Sequence, residues 1–305
     1  MVHLTSIIEA ETKDQAFPAA DAFCNNLKQQ YGPSTLAVLF YGSCLRQKTD
    51  AGLVLDFYVL VDSYANALKS QIAAAFAQLL PPNVYYLEMP FEDRVVRAKV
   101  AVISANQFLR GTSREAFTSS LWARFAQPTI ILYARNDKVR NQVIHALANA
   151  VSTMITRTTP LLGETFSERD LWVRAFTETY GAELRPEQKT KAIELVESNF
   201  TRYTAVTNAV LGPHKASGVF HQILIPQQLV RAKQRWRLRR FYGKALNALR
   251  LIKASFTFSG SLDYAVWKIE RHSGVKFDLT DAERQRPLLT GIKLFVKTLR
   301  RGGLR

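Results

Sequence analysis

The stretch Phe40-Tyr41-Gly42-Ser43-Cys44 and the stretch Leu55-Asp56-Phe57-Tyr58-Val59-Leu60-Val61 decide the fold that this sequence predicts. The first closes a short apolar run, which is typical of a buried strand, and its Gly-Ser pair marks a turn that opens a helix. The second is another apolar strand, interrupted only by Asp56. Burying an unpaired carboxylate is costly. This cost favours the interpretation that Asp56 is a ligand in a functional site over the alternative, a core or edge carboxylate whose hydrogen bonds are met within the protein.

Outward from these two strands, apolar runs and turn signals define the remaining elements. Strands are predicted over residues 36–41, 53–61, 84–89, 95–103 and 128–133. Helices are predicted over residues 13–31, 67–80, 106–124, 138–156, 168–180, 187–210, 227–255, 261–272 and 281–299. This order predicts an α/β (α+β) domain with a mixed sheet, followed by an all-helical C-terminal region. The predicted boundaries are 1–135, 136–225 and 226–305.

Composition excludes several classes of protein. The chain has 305 residues, of which 47 % are hydrophobic and 22 % charged, an ordinary globular balance. No stretch approaches the roughly 18 uninterrupted apolar residues of a membrane span. Residues 1–13 have the features of neither a secretory signal nor a transit peptide. The two cysteines, Cys24 and Cys44, argue for a reducing compartment and against a disulfide framework or a cysteine-ligated zinc site.

The positive charge is concentrated at the C-terminal end. The net charge is +16, and residues 226–305 hold 19 Lys/Arg against 5 Asp/Glu, so nearly all of the excess lies there. Such a segment predicts an anionic partner. Its densest part, residues 231–240, carries Trp236 among the arginines 235, 237 and 239. Composition alone weighs a lipid surface, a nucleic acid and a merely solvated basic helix equally.

A strand, a Gly-Ser turn and an acid on the next strand form the pattern of nucleotidyltransferases. Glycine lets backbone N–H groups approach a triphosphate, serine adds a hydroxyl donor, and the carboxylate holds Mg²⁺ against the phosphates. Polymerase-beta-type enzymes carry two acids on that strand, whereas Tyr58 stands in the second position here. Asp62 is six residues beyond Asp56, roughly 20 Å along an ideal strand, and is predicted to be a strand-end turn residue.

Five motifs in order resemble the mitochondrial-type phosphatidate cytidylyltransferases, the translocator assembly and maintenance family. They are Tyr41-Gly42-Ser43 with Gln47, the Asp56 strand, Val84-Tyr85-Tyr86 with the Lys99 strand, Trp122 to Pro128 with Arg124, and Thr179 to Arg185. That family also lacks the second acid. The chain departs from it at Cys44, where the family has glycine, at Glu183, where it has aspartate, and after the Asp56 strand, where a histidine-containing segment is missing. These departures indicate a divergent, bacterial relative.

The resemblance implies transfer from CTP to phosphatidate, giving CDP-diacylglycerol and pyrophosphate with Mg²⁺. Asp56 would hold the metal ion, with Glu183 as either a second acid or the salt-bridge partner of Arg185. The CTP phosphates would lie against Gly42, Ser43, Arg46 and Gln47. Phosphate charge would be neutralised by Lys99, Arg124 and Arg185. The membrane contact would be made by Arg235, Trp236, Arg237 and Arg239.

The partner implied is an anionic phospholipid surface on the inner face of a bacterial cytoplasmic membrane, with no stable nucleic-acid partner. Several alternatives stay open on the residues. Lys99 could face solvent instead of a site, and Arg124 could be a helix C-terminal charge favoured by the dipole. The chain could also transfer a nucleotide to a soluble or nucleic-acid acceptor, or be a degenerate transferase that only binds.

Overall fold

The computed structural model describes residues 2–50, 52–68, 70–183, 189–214 and 218–257, so the helices predicted over 261–272 and 281–299 and the candidate Arg185 lie outside the described residues. Five strands form a central sheet. They are β1 (Thr35–Tyr41), β2 (Val54–Val61), β3 (Asn83–Phe91), β4 (Arg94–Ser104) and β5 (Thr129–Ala134). Their order is β3-β4-β2-β1-β5. The β2–β4 pair is parallel and the other pairs are antiparallel, which confirms the predicted mixed sheet.

The helices lie between and after these strands. They are α1 (Val2–Glu11), α2 (Pro18–Tyr31), α3 (Ser43–Gln47), α4 (Tyr64–Ala67), α5 (Gln71–Leu79), α6 (Ala105–Thr112), α7 (Trp122–Phe125), α8 (Asp137–Thr158), α9 (Glu168–Gly181), α10 (Lys189–Glu197), α11 (Phe200–Leu211) and α12 (Pro226–Thr257). Across the described ranges, no helix combines the length and apolar composition that crossing a bilayer requires.

Three predicted helices have different bounds in the structure, and polar side chains mark two of the new ends. The helix predicted over 67–80 begins only after Ser70, whose hydroxyl accepts a hydrogen bond from the Ala73 amide. The helix predicted over 106–124 ends at Thr112, where the hydroxyls of Thr112 and Ser113 bond backbone carbonyls. The helix predicted over 187–210 is two helices, α10 and α11, separated at Asn199.

Two further elements differ from the prediction. Helix α1 was not predicted, although Leu4 and Ile8 bury one side of it against the core. The C-terminal region is helical, as predicted, but it also contains the short strands β6 (Thr165–Phe166) and β7 (Phe220–His221), which pair antiparallel and were not predicted. The rings of Phe166 and Phe220 stack there with their centroids 5.5 Å apart, so the pair is held by apolar contact as well as by backbone bonds.

The sheet is buried on both faces. Alternate residues of β2 point to opposite sides, so Tyr58 and Leu60 join one buried cluster while Phe57 and Val59 join the other. The first cluster extends without interruption from the sheet to Trp172 of α9, and therefore across residue 135. The division into regions 1–135, 136–225 and 226–305 stays a prediction.

Helix α12 packs through an inward face that recurs every three or four residues. Trp236 is 1 % exposed, and its Nε1 donates to the Arg157 carbonyl at 3.0 Å. Its ring meets the Trp122 ring edge-on, with the centroids 5.9 Å apart. The Arg239 guanidinium lies 4.6 Å from the Trp236 ring centroid, and its Nε donates to the Phe117 carbonyl at 2.7 Å.

The predicted membrane contact is therefore wrong for Trp236 and Arg239. Both are buried, because an indole and a guanidinium that stack on each other and reach backbone carbonyls are satisfied inside the protein. Arg235 and Arg237 are exposed, as predicted of a surface segment, and their role at a membrane stays a prediction. Helix α12 presents other large apolar side chains to solvent, among them Phe241, which is 76 % exposed.

Replacing Trp236 by alanine tests this packing. We expect Trp236→Ala to lower the free energy of unfolding by about 3–5 kcal/mol, because it leaves a large cavity beside Trp122. The matched control Phe241→Ala removes an exposed ring from the same helix and should change that free energy by about 0.5 kcal/mol or less. Urea denaturation followed by circular dichroism measures both. Equal effects of the two substitutions would contradict the packing described.

Candidate active site

The turn between β1 and α3 brings the backbone of Gly42 unusually close to the Asp56 carboxylate. Gly42 has φ +96°, a conformation that favours glycine. A Cβ atom at this position would lie 2.5 Å from Oδ2 of Asp56, so a side chain has no room there. The next helix is fixed by Cys44, whose Sγ donates to the Val54 carbonyl at 3.3 Å. Burial, with a contribution from Asp56, raises the pKa of the Cys44 thiol to about 12, so this cysteine stays a neutral packing residue.

Strand register places three predicted positions side by side. Asp56 pairs with Tyr41 across the β1–β2 ladder and with Lys99 across the β2–β4 ladder. Paired residues of neighbouring strands project to the same face of a sheet, and these three line one cavity. Lys99 is partly buried and lines this cavity, which favours the site over the solvent-facing alternative.

This cavity, which we call the Asp56 cavity, has a volume of about 260 Å³. Seven residues that the sequence analysis singled out line it: Gly42, Ser43, Arg46, Asp56, Lys99, Arg124 and Glu183. Six residues that it did not assign to a site line it as well: Tyr41, Ala123, Gln127, Thr179, Tyr180 and Lys191. Gln47 is exposed and does not line the cavity, so its predicted contact with a nucleotide lacks support.

Arg124 is held by the residue that stands in the second-acid position. Its Nη1 donates to the Tyr58 hydroxyl at 3.0 Å, and its guanidinium lies 5.6 and 5.8 Å from the ring centroids of Tyr41 and Tyr58. Burial alone would lower the pKa of Arg124, but the two phenols, Glu183 and Asp56 outweigh it and raise that pKa well above its usual value. Arg124 is in the last turn of α7, yet its charge is directed into the cavity and not toward solvent.

Glu183 follows α9 and reaches the same cavity from the opposite side. It acts electrostatically on Arg124 and also on Arg250 of α12, a residue that the sequence analysis missed. Burial lowers the pKa of Arg250, while Tyr58 and Glu183 oppose that effect. No local pattern could have identified Arg250, because its position depends on how α12 crosses the domain. The predicted pairing of Glu183 with Arg185 lies outside the described residues.

The lining suits a ligand with several negative charges. Four cations, Arg46, Lys99, Arg124 and Lys191, face two carboxylates, Asp56 and Glu183, and none of the described lining residues is a histidine. Preorganised cations around a small cavity stabilise phosphate charge both in the ground state and in a transition state.

The donor set also fits Mg²⁺ in one particular way. Among the described residues, no group of three or more His, Cys, Asp or Glu could hold a metal ion. Mg²⁺ needs fewer protein ligands than that, because it is bound through one or two carboxylates together with substrate phosphates and water. Asp56, with Glu183 in the same cavity, meets this requirement.

Asp62 does not belong to the cavity, as predicted. One of its carboxylate oxygens accepts from the Ser63 amide at 2.5 Å, and the other accepts from Nδ2 of Asn66 at 3.0 Å. It is a turn residue at the end of β2.

Comparisons with known proteins leave the family open. No family model matches the chain, and no curated protein matches it. Among solved structures the chain is similar to a nucleotidyltransferase-like protein from Exiguobacterium sibiricum, with 11 % identity and a TM-score of 0.27 over 93 % of this chain and 92 % of that one. A likeness this weak carries no information on activity. The resemblance to phosphatidate cytidylyltransferases is not supported by these comparisons.

The fit between Gly42 and Asp56 can be tested by stability alone. We expect Gly42→Ala to destabilise the protein by about 1–3 kcal/mol more than Gly52→Ala. Both glycines have positive φ, so alanine strains the backbone at either site, but a Cβ at position 52 would meet no atom within 4 Å. Denaturant titration of the two variants gives the difference, and equal destabilisation would show that Asp56 does not crowd the turn.

Proposed function

We propose that this protein transfers a nucleotidyl group from a nucleoside triphosphate to an acceptor that itself bears a phosphate. The observation that carries the proposal is the convergence, in one cavity, of the Gly42-Ser43 turn, the Asp56 carboxylate and four cations. A turn that excludes side chains, a single acid beside it and an excess of positive charge are what a triphosphate and its metal ion require.

Each lining residue has a distinct task in this reaction. The backbone at Gly42 and the Ser43 hydroxyl bind the triphosphate, and Arg46 and Lys99 neutralise it. Asp56 would hold Mg²⁺, which when bound supplies charge neutralisation at the phosphates. Arg124, kept charged and oriented by Tyr58, faces the second anion.

The excess of cations indicates the kind of acceptor. A phosphate oxygen is already an anion at neutral pH, so it attacks the α-phosphorus without a base to remove a proton. The bond between the α-phosphorus and the β-bridging oxygen breaks, and pyrophosphate leaves with its electron pair. The enzyme's work is then to align two mutually repelling anions, a task for cations and not for a histidine.

The specific form of the proposal is CTP as donor and phosphatidate as acceptor, giving CDP-diacylglycerol at an anionic membrane surface on the cytoplasmic side of a bacterial membrane. The motif resemblance supports it, together with the exposed Arg235 and Arg237 on α12 and the basic excess after residue 226. A second candidate is a protein that binds nucleotides without transferring them. The position of Tyr58 favours it, because a phenol bonded to Arg124 takes the place of the second acid.

The decisive experiment measures pyrophosphate release from CTP with Mg²⁺ and phosphatidate in mixed micelles. We expect Asp56→Asn to lower the rate at least about 100-fold, because the metal ion loses its protein carboxylate. The matched control is Asp62→Asn, which neutralises an exposed acid in the turn after the same strand, outside the cavity, and should leave the rate unchanged. Full activity in Asp56→Asn would refute the mechanism.

The same assay, repeated with different acceptors, distinguishes a lipid acceptor, a soluble or nucleic-acid acceptor and a protein that only binds nucleotides. Release with phosphatidate but not with glycerol 3-phosphate or RNA supports a lipid acceptor, and the reverse identifies a soluble or nucleic-acid acceptor. CTP binding that Asp56→Asn weakens, without release for any acceptor, identifies the binding protein.

The role of Tyr58 yields a separate prediction. Tyr58→Phe removes the hydroxyl that orients Arg124, and we expect the rate of pyrophosphate release to fall roughly tenfold, the usual effect of losing one hydrogen bond to a charged group. Tyr31→Phe is the control, since Tyr31 is a buried tyrosine on the other face of the sheet. If both variants keep the wild-type rate, Tyr58 only fills space.

A further inference from the structure

A second cavity, of about 420 Å³, lies where α9, α12 and the turn Thr159–Leu161 meet; we call it the Trp236 groove. Its lining consists of Leu161, Arg174, Glu178, Lys233, Gln234, Trp236, Arg237 and Arg240. None of these residues lines the Asp56 cavity. The volume lies within the range of about 300–1,000 Å³ that is typical of sites for small ligands.

The floor of the groove is apolar and fixed. Leu161 and Trp236 are both buried, and the Trp236 indole cannot turn because its Nε1 donates to the Arg157 carbonyl and its ring packs edge-on against Trp122. A ligand would therefore meet a surface that already has its bound shape, which lowers the ordering cost of binding.

The rim of the groove is cationic. Glu178 is 8 % exposed and is shared by two guanidiniums, since it accepts from Nε of Arg174 at 2.9 Å and also from Nη1 of Arg240. Lys233 and Arg237 are exposed one turn apart on α12, and neither has a carboxylate within ion-pair distance among the described residues. Four cations against one acid leave the groove with three uncompensated positive charges.

The neighbourhood adds to this excess. Burial and the nearby Arg157 and Arg235 lower the pKa of Arg239, which stacks on the Trp236 ring, to about 10. Crowding like charges in this way costs stability, and an anion bound in the groove would offset that cost.

We propose that the Trp236 groove binds a small phosphomonoester that carries an apolar group. The apolar group packs against Leu161 and the aliphatic stems of the rim side chains, above the buried Trp236 ring, and the phosphate lies between Lys233 and Arg237. The excess of cations favours an anionic ligand. The apolar floor favours a ligand that carries an apolar group in addition to its phosphate. This site is independent of the nucleotidyl transfer proposed above, because the two cavities share no lining residue.

The test is calorimetric titration of the full-length protein with phenyl phosphate. We expect saturable binding that the double variant Lys233→Ala/Arg237→Ala weakens at least about tenfold, because it removes two charge-assisted contacts. The matched control, Arg231→Ala/Lys244→Ala, removes two exposed cations from the same helix outside the groove and lowers the net charge equally. It should keep the wild-type affinity.

Three results would overturn the proposal. One is no saturable binding at ~10 mM phenyl phosphate, well above the millimolar range of weak sites. Another is equal weakening in both double variants, which would reduce the effect to general electrostatics. The third is loss of binding in Lys99→Ala, which would place the anion in the Asp56 cavity.

Two comparisons refine the ligand class. Inorganic phosphate should bind at least about tenfold more weakly than phenyl phosphate, since it makes no contact with the apolar floor; equal affinities would refute the apolar part of the site. Titration of Lys99→Ala with dihexanoyl phosphatidate, beside phenyl phosphate, distinguishes a lipid-derived phosphomonoester from a water-soluble one. If dihexanoyl phosphatidate binds more tightly than phenyl phosphate, the ligand is a lipid-derived phosphomonoester. If it binds more weakly, the ligand is a water-soluble one.

Discussion

The close approach of the Asp56 carboxylate to the backbone of Gly42 is the constraint on which the rest of the site depends. A Cβ at position 42 would lie 2.5 Å from Oδ2 of Asp56, so any residue other than glycine would displace the Asp56 carboxylate, and it would also be strained by the φ of +96°. That turn ends β1 and starts α3, while Asp56 lies near the start of β2. A carboxylate is thus fixed at the rim of the sheet, where Lys99 of the next strand is its direct neighbour.

The electrostatic character of the site follows from one position two residues further along β2. A second acid there would give a pair of carboxylates, which repel each other and attract metal ions strongly. Tyr58 instead offers a hydroxyl that accepts from Arg124 and a ring on which the guanidinium rests. Position 58, which could have carried a negative charge, instead holds the positive charge of Arg124 in place. The site therefore has to obtain its specificity from cations, with Asp56 as the carboxylate next to the turn.

What the sequence could predict was the part fixed by local pattern. The five strands, the Gly42-Ser43 turn and Asp56 lie where apolar runs and turn residues indicated, whereas Lys99 and Arg124, which also line the cavity, were expected only from the family resemblance. Helix ends were less predictable, because a single serine or threonine hydroxyl decides them against a continuing apolar pattern. Arg250 could not be predicted at all, since nothing near it in sequence tells which side of α12 comes close to Glu183.

Helix α12 shows why a basic composition does not by itself indicate that a segment lies on the protein surface. Its inward face carries Trp236, Arg239, Gly243, Arg250 and Lys253, at helical spacing, so cations are among the residues it buries. Gly243 allows the helix to lie against the chain beside Glu183, as a Cβ there would be 2.5 Å from the Ala182 carbonyl oxygen.

Two of the buried cations of α12 are satisfied by neutral oxygens. Lys253 donates to two backbone carbonyls and to the Asn83 side chain, and Arg239 donates to the Phe117 carbonyl. Arg250 is about 20 Å along the helix from Trp236, by the rise of 1.5 Å per residue, and on nearly the same face. One helix thus lines the Trp236 groove at one end, and at the other it brings Arg250 within electrostatic range of Glu183 and Arg124 of the Asp56 cavity.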